Sequence, residues 1–200
     1  MPARSYKPAK ASSGFTLLEL MVTIVVFVIL AALAVPGLST YMEKSRLRGA
    51  ADDVINQLAQ ARQVAVKYDR NVSLKTTGSG ATWCLGAREA DAPAAGFQSG
   101  AASTCDCSAT PTTTCIVDKD RQLVVKSADY QGVTLSSPAG DLAFDGRLGI
   151  RSDANVGNAN ASSFDLTSRS GAYVLTVNIS PLGQATVCNK SGNILGYPQC

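Results

Sequence analysis

From Leu20 to Val35 the chain reads LMVTIVVFVILAALAV, an uninterrupted run without a charged side chain. With Phe15–Leu18 ahead of it the apolar stretch approaches ~20 residues, the length an α-helix needs to cross a bilayer. Arg4, Lys7 and Lys10 lie before the run and supply the whole formal excess of +3. By the positive-inside rule this asymmetry predicts a cytoplasmic N-terminus and an exported C-terminal head in a single-pass protein. Beyond the run the chain is long enough for one globular domain and too short for two of ordinary size. From Phe15 onward basic and acidic side chains balance at fifteen each, so the head offers no general attraction for nucleic acid.

One carboxylate is out of place in this segment. Glu19 sits near the start of the apolar run, where an unpaired charge costs ~2.5 kcal/mol or more. The bland reading puts it at the lipid interface at little cost. A secretory signal ending near Ala32–Ala34 is the other alternative, but its core would be unusually long and Glu19 would have no use in it.

The rest of the chemistry is bounded by composition. No histidine is present, which excludes Ser-His-Asp and Cys-His sites and removes the commonest metal ligand. No Walker A sequence, GxGxxG fingerprint or EF-hand loop occurs, and no paired carboxylates sit in a recognisable frame, so neither an enzyme nor a cofactor is expected. The six cysteines are Cys84, Cys105, Cys107, Cys115, Cys188 and Cys200. An even number in an exported head reads as disulfides, with fifteen pairings open. Cys188 with Cys200 is the favoured pair, because it would pin a fraying C-terminus. Zinc is the rival, and the spacings do not form two CxxC pairs. Asp118 and Asp120 in VDKDR suggest a turn before they suggest calcium. Trp83, the only tryptophan, suits a core position beside Cys84.

Pro36 and Gly37 should kink or melt the helix, since proline removes an intrahelical hydrogen bond and glycine has low helix propensity. Beyond them Leu47, Ala51, Val54, Leu58, Ala61, Ala65 and Tyr68 recur at spacings of four and three, one apolar stripe facing a sheet. Glu43, Lys44, Arg46, Arg48, Asp52, Asp53 and Arg62 fall mostly on the other faces and read as a solvated or subunit-contacting surface. From Arg70 the period changes to short β-favouring runs at 72–75, 82–85, 122–126, 133–135, 164–167, 173–179 and 185–188, parted by turn residues. Tyr173, Leu175, Val177 and Ile179 alternate against Val174, Thr176, Asn178 and Ser180. The low-complexity stretches Ala90–Thr114 and Asp153–Ser163 read as surface loops. The fold class is therefore α+β, a long N-terminal helix packed on an antiparallel β-sheet head. The expected segments are a leader at 1–14, a transmembrane helix at 15–38, an amphipathic helix at 39–70 and a β-rich head at 71–200.

Gly14-Phe15-Thr16-Leu17-Leu18-Glu19-Leu20, after a basic leader and before an apolar helix, resembles the class III signal of type IV prepilins and type II secretion pseudopilins. The resemblance implies cleavage between Gly14 and Phe15 by the prepilin peptidase, N-methylation of Phe15, and pairing of Glu19 with the Phe15 amine of a neighbouring subunit. A buried charge is tolerable only when paired, which gives that pairing its physical sense. Pro36 likewise resembles a pilin proline around which the helix loses regularity in the filament.

Leu142-Ala143-Phe144-Asp145-Gly146, Ser180-Pro181-Leu182-Gly183 and Val187-Cys188 are similar to the FimT/FimU minor pilins, which share a domain type with the pseudopilin GspH. This implies a minor pilin that primes or caps a type IV pilus. Its partners would be the prepilin peptidase, other major and minor pilins, the inner-membrane assembly platform and the lipid bilayer. The alternative is a GspH-like pseudopilin of a type II secretion system. A second alternative is DNA binding in natural transformation, which some FimT proteins perform through GRxR. Here the comparable place reads Gly183-Gln184-Ala185-Thr186 without arginine, leaving only Arg147 and Arg151 as a looser basic pair.

Overall fold

The computed structural model describes residues 14–90, 105–109, 114–136, 142–152 and 162–200, with the side chains of 34–36 excepted. The chain divides into two compact units, Met1–Tyr41 and Met42–Cys200. One helix, α1 (Leu17–Tyr68), contributes to both. Expectations about the leader fall, apart from Gly14, outside the described residues.

In the first unit the described large apolar side chains are exposed, Phe15 at 83% and Leu33 at 73%. Neither Leu17–Leu33 nor Gly37–Tyr68 is by itself long and apolar enough to cross a membrane, whereas the two together have the length and composition to do so. The backbone is helical through Pro36 and Gly37 and bends at residues 34–36, so of the kink or melt expected there it is the kink that occurs. Proline costs the helix one hydrogen bond, which a bend accommodates without ending the helix.

In the second unit α1 buries a stripe. Leu47, Ala51, Val54, Leu58, Ala61 and Ala65 lose nearly all exposure, joined by Ala50, Gln57 and Val64. Tyr68 at the stripe's end is half-buried. The helix ends at Tyr68 and not at residue 70. Asp69 takes φ 50° and the Arg70 N–H bonds back to Ala65 O at 3.1 Å, the six-to-one closure of a Schellman motif with aspartate in the usual glycine place.

Two four-stranded antiparallel sheets receive the stripe. The first has the order β5-β2-β1-β7, built from β1 (Val72–Ser79), β2 (Thr82–Glu89), β5 (Val124–Lys126) and β7 (Leu142–Phe144). The second, β10-β9-β8-β6, is built from β6 (Thr134–Ser136), β8 (Ser163–Thr167), β9 (Val174–Ile179) and β10 (Ala185–Ser191). A small hairpin joins β3 (Ile116–Val117) to β4 (Arg121–Gln122). Its turn carries consecutive positive φ at Asp118 (53°) and Lys119 (72°), the backbone a tight hairpin demands. The VDKDR segment is thus a turn, and among the described residues no group of His, Cys, Asp or Glu could hold a metal ion.

The expected run at 122–126 is two strands. Leu123 breaks it, its N–H bonding to Cys115 O while its carbonyl accepts from Ala87 N–H, so β4 serves the hairpin and β5 the sheet. β3 and β7, with two and three residues, are too short for a period of two to register. On β9 Leu175, Val177 and Ile179 are buried and Asn178 exposed as the alternation predicts, while Thr176 departs by being buried and bonded to Asp165. Most of Ala90–Thr114 and Asp153–Ser163 lies outside the described residues. Among the exceptions Asp106, Ser108 and Ala109 are exposed as a surface loop requires, whereas Cys105, Cys107 and neighbouring Cys115 are buried and Ser163 begins β8.

Candidate functional site

The processing segment is an exposed helix start. Thr16 Oγ1 accepts the Glu19 N–H at 3.2 Å, and Leu20 N–H bonds to Thr16 O, which makes Thr16 the N-cap and places Glu19 in the first turn. Threonine followed three residues later by glutamate is the capping-box spacing, and a carboxylate there faces the partial positive charge of the helix N-terminus. Glu19 therefore has a helix-starting role besides the pairing that the resemblance implies. The spacing was legible in the sequence. Gly14 and Phe15 precede the helix and are exposed.

The charges of α1 in the head, expected on a solvated or subunit-contacting surface, lie at the surface and also bond to loops at the ends of the sheets. Glu43 Oε1 accepts the Ser170 N–H at 2.6 Å. Lys44 Nζ donates to Asn193 O, Arg46 to Gln131 O and Arg48 to Leu195 O. Tyr197 donates to Asp52 at 3.0 Å and Tyr130 donates to Asp53. These contacts tether three loops to the first turns of the head's helix. Hydrogen bonds from the Ser170 side chain and backbone hold the Glu43 carboxyl below its ordinary value. Burial, and then the bond to Asp53, raise the Tyr130 hydroxyl; Tyr197 is raised in the same way by burial and Asp52.

The two segments that resemble minor pilins meet at the other end of the helix. Gly146 N–H donates to Asn71 Oδ1 at 3.0 Å, and a methyl on Gly146 would collide with the Arg70 backbone nitrogen. Asp145, fully buried, accepts the N–H groups of Arg147 and Leu148 through Oδ2. Gly183, at φ 76°, packs against Gly149 O and the Phe144 ring, and Gly149 O also accepts from Arg62 Nε at 2.8 Å. Arg151 N–H donates to Pro181 O, which ties the two segments directly. They form a structural junction of helix end and both sheets, a proximity that distant sequence positions do not reveal.

Arg151 is 1% exposed and donates to Ile179 O at 3.3 Å. A phosphate cannot reach it, which corrects its reading as a DNA contact; Arg147 alone of that pair is exposed. Trp83 is buried with Nε1 donating to Val133 O at 2.8 Å, a core position.

The cysteines meet in three pairs, Cys84–Cys107, Cys105–Cys115 and Cys188–Cys200, with Cα separations of 5.9, 4.8 and 4.9 Å. The first two form one buried cluster over β2 at Gly86, where any Cβ would collide with Cys105 Sγ. The third holds the C-terminal segment along β10. Asn189, buried between them, donates Nδ2 to Ile194 O and Tyr197 O.

Residues 50–183, more than half the chain, match the model of a family described as type II transport protein GspH, and residues 9–35 match the prokaryotic N-terminal methylation motif. Comparison with curated proteins and with solved structures found no match.

Proposed function

This chain belongs to the family of type II transport protein GspH, and we propose that within it the chain is a minor type IV pilin that primes or caps a pilus. In this reading prepilin peptidase removes residues 1–14, cutting between Gly14 and Phe15, and Phe15 is N-methylated. Residues 15–38 anchor the mature chain in the inner membrane with the head in the periplasm, until the assembly platform passes it to other pilins. The observation that carries the proposal is the exposed apolar helix with Glu19 in its first turn, within a matched methylation motif. A carboxylate at the start of a bilayer-length helix becomes affordable when a neighbour's N-terminal amine pairs with it.

Glu19→Ala should be cleaved normally and fail to enter sheared filaments, since the leader junction is untouched and the pairing is lost. Normal incorporation of that variant would refute the assignment. The second reading, a minor pseudopilin of a type II secretion system, is favoured by the description of the matching family. Deleting the gene in its host and scoring sheared pili with secreted proteins separates the two. Lost pili with normal secretion supports the minor pilin; lost secretion with normal pili supports the pseudopilin.

A further inference from the structure

β10 is an edge strand, and only part of its outer edge is covered. The register with β9 decides which backbone groups face outward. Ser180 N–H bonds to Gln184 O, so Gln184, Thr186 and Cys188 exchange hydrogen bonds with β9, while Ala185, Val187 and Asn189 point the other way. At Asn189 both outward groups are taken by the C-terminal segment, through Pro198 O and Cys200 N–H. At Ala185 and Val187 no described residue reaches the outward N–H or C=O groups.

Beside this open edge runs a groove of about 840 Å³ between β10 and the flank of α1. Ile55, Ala59 and Ala185 line it, together with Val66 and Leu148, which are 47% and 56% exposed. Among the described residues its charged lining is Arg62 and Lys67, without a carboxylate, and the Lys67 ammonium also lies 3.7 Å from Asp118.

We propose that the Ala185–Val187 edge accepts an added β-strand from another protein, an extended segment bearing apolar side chains toward the groove and carboxylates toward Arg62 and Lys67. The open main-chain groups supply strand pairing, the groove takes alternate side chains, and the positive charge of Arg62 and Lys67 selects the partner. A second copy of this chain fits poorly, because pairing β10 with itself brings Arg62 and Lys67 toward their own copies. The inference stands whether the chain serves a pilus or a secretion machine.

The test uses the full chain in detergent micelles and two blocked peptides, one reading Glu-Thr-Val-Thr-Glu and one reading Lys-Thr-Val-Thr-Lys, in which valine and the charged residues share one face of the strand. Amide exchange at Ala185 and Val187 is followed by NMR. The acidic peptide should slow both amides on the order of tenfold and the basic peptide should not. Val187→Pro deletes one outward N–H and spares the bonds of Thr186 and Cys188 to β9, so the peptide's protection of Ala185 should vanish. Lys67→Glu, at an exposed helix position outside the sheet, should weaken the acidic peptide and leave the fold intact. Equal slowing by both peptides, no slowing by either, or slowing that depends only on protein concentration would each overturn the proposal.

Discussion

Replacing Gln57 probes the joint between helix and sheet. Its side chain is 1% exposed in a stripe otherwise made of alanine, leucine and valine, and Nε2 donates to Leu85 O at 2.9 Å and Leu123 O at 3.0 Å. Those carbonyls belong to β2 and to the residue linking β4 with β5, so one amide fastens both to α1. Its Oε1 is buried without a hydrogen-bond partner among the described residues. Gln57→Ala removes two bonds worth together about 2 kcal/mol. It also opens a cavity costing roughly 1–2 kcal/mol more, for a total of about 3–4 kcal/mol. Both variants remove the orphaned oxygen, whose burial costs about 1 kcal/mol, which brings alanine back to about 2–3 kcal/mol, while Gln57→Met also keeps the volume. Its net loss should be about 1 kcal/mol or less. Trp83, buried on β2, reports unfolding of the head by fluorescence during a urea titration of the full chain in detergent. With a slope near ~2 kcal/mol/M, alanine should lower the midpoint by about 1–1.5 M and methionine by less than about 0.5 M. Equal shifts for the two variants would refute the reasoning, because the lost volume would then not matter.

Acid should loosen the clasp at Glu43. Its carboxyl is held below the ordinary 4.5, so the stability it adds is present above that value and lost as pH falls through the lower folded value. Exchange of the Ser170 amide should speed up in that window, and Glu43→Gln should abolish the pH dependence. Gly86→Ala places a methyl against the paired Cys105 and Cys115 sulfurs, and should yield mispaired or incompletely oxidised protein on mass mapping of disulfides. Replacing both Cys188 and Cys200 by serine opens a loop of sequence separation 12. The chain-entropy estimate makes that loss about 2.8 kcal/mol, read as a lower urea midpoint, with faster exchange at Asn189 marking release of the C-terminal segment.

Local chemistry was legible in the residues themselves. The apolar run, the Thr16-to-Glu19 spacing, the stripe on α1 and the alternation on β9 each involve neighbours within a few positions, and periodicity reports them directly. The β3 and β7 strands were not legible, because two or three residues carry no period and their pairing depends on partners far along the chain. The helix charges from Glu43 to Asp53 look like a solvated face when read along α1 alone. Their partners lie in loops at Tyr130–Gln131, Ser170 and Asn193–Tyr197, and only folding brings those loops to them.

Sequence alone therefore determined the class of the molecule: an apolar helix within an N-terminal methylation motif, an amphipathic continuation and a β-rich head whose cysteines pair. Tertiary structure decided what depends on distant residues meeting. It buried Arg151 under the carbonyl of Ile179, converting an apparent basic pair into one exposed arginine and one core guanidinium. It brought the Phe144–Gly146 turn and the Pro181–Gly183 turn to one junction, and it left the Ala185–Val187 edge open beside a basic, apolar groove. The physical reason is common to all three. Burial and hydrogen-bond partnership are properties of the packed chain, and a residue type limits them without settling them.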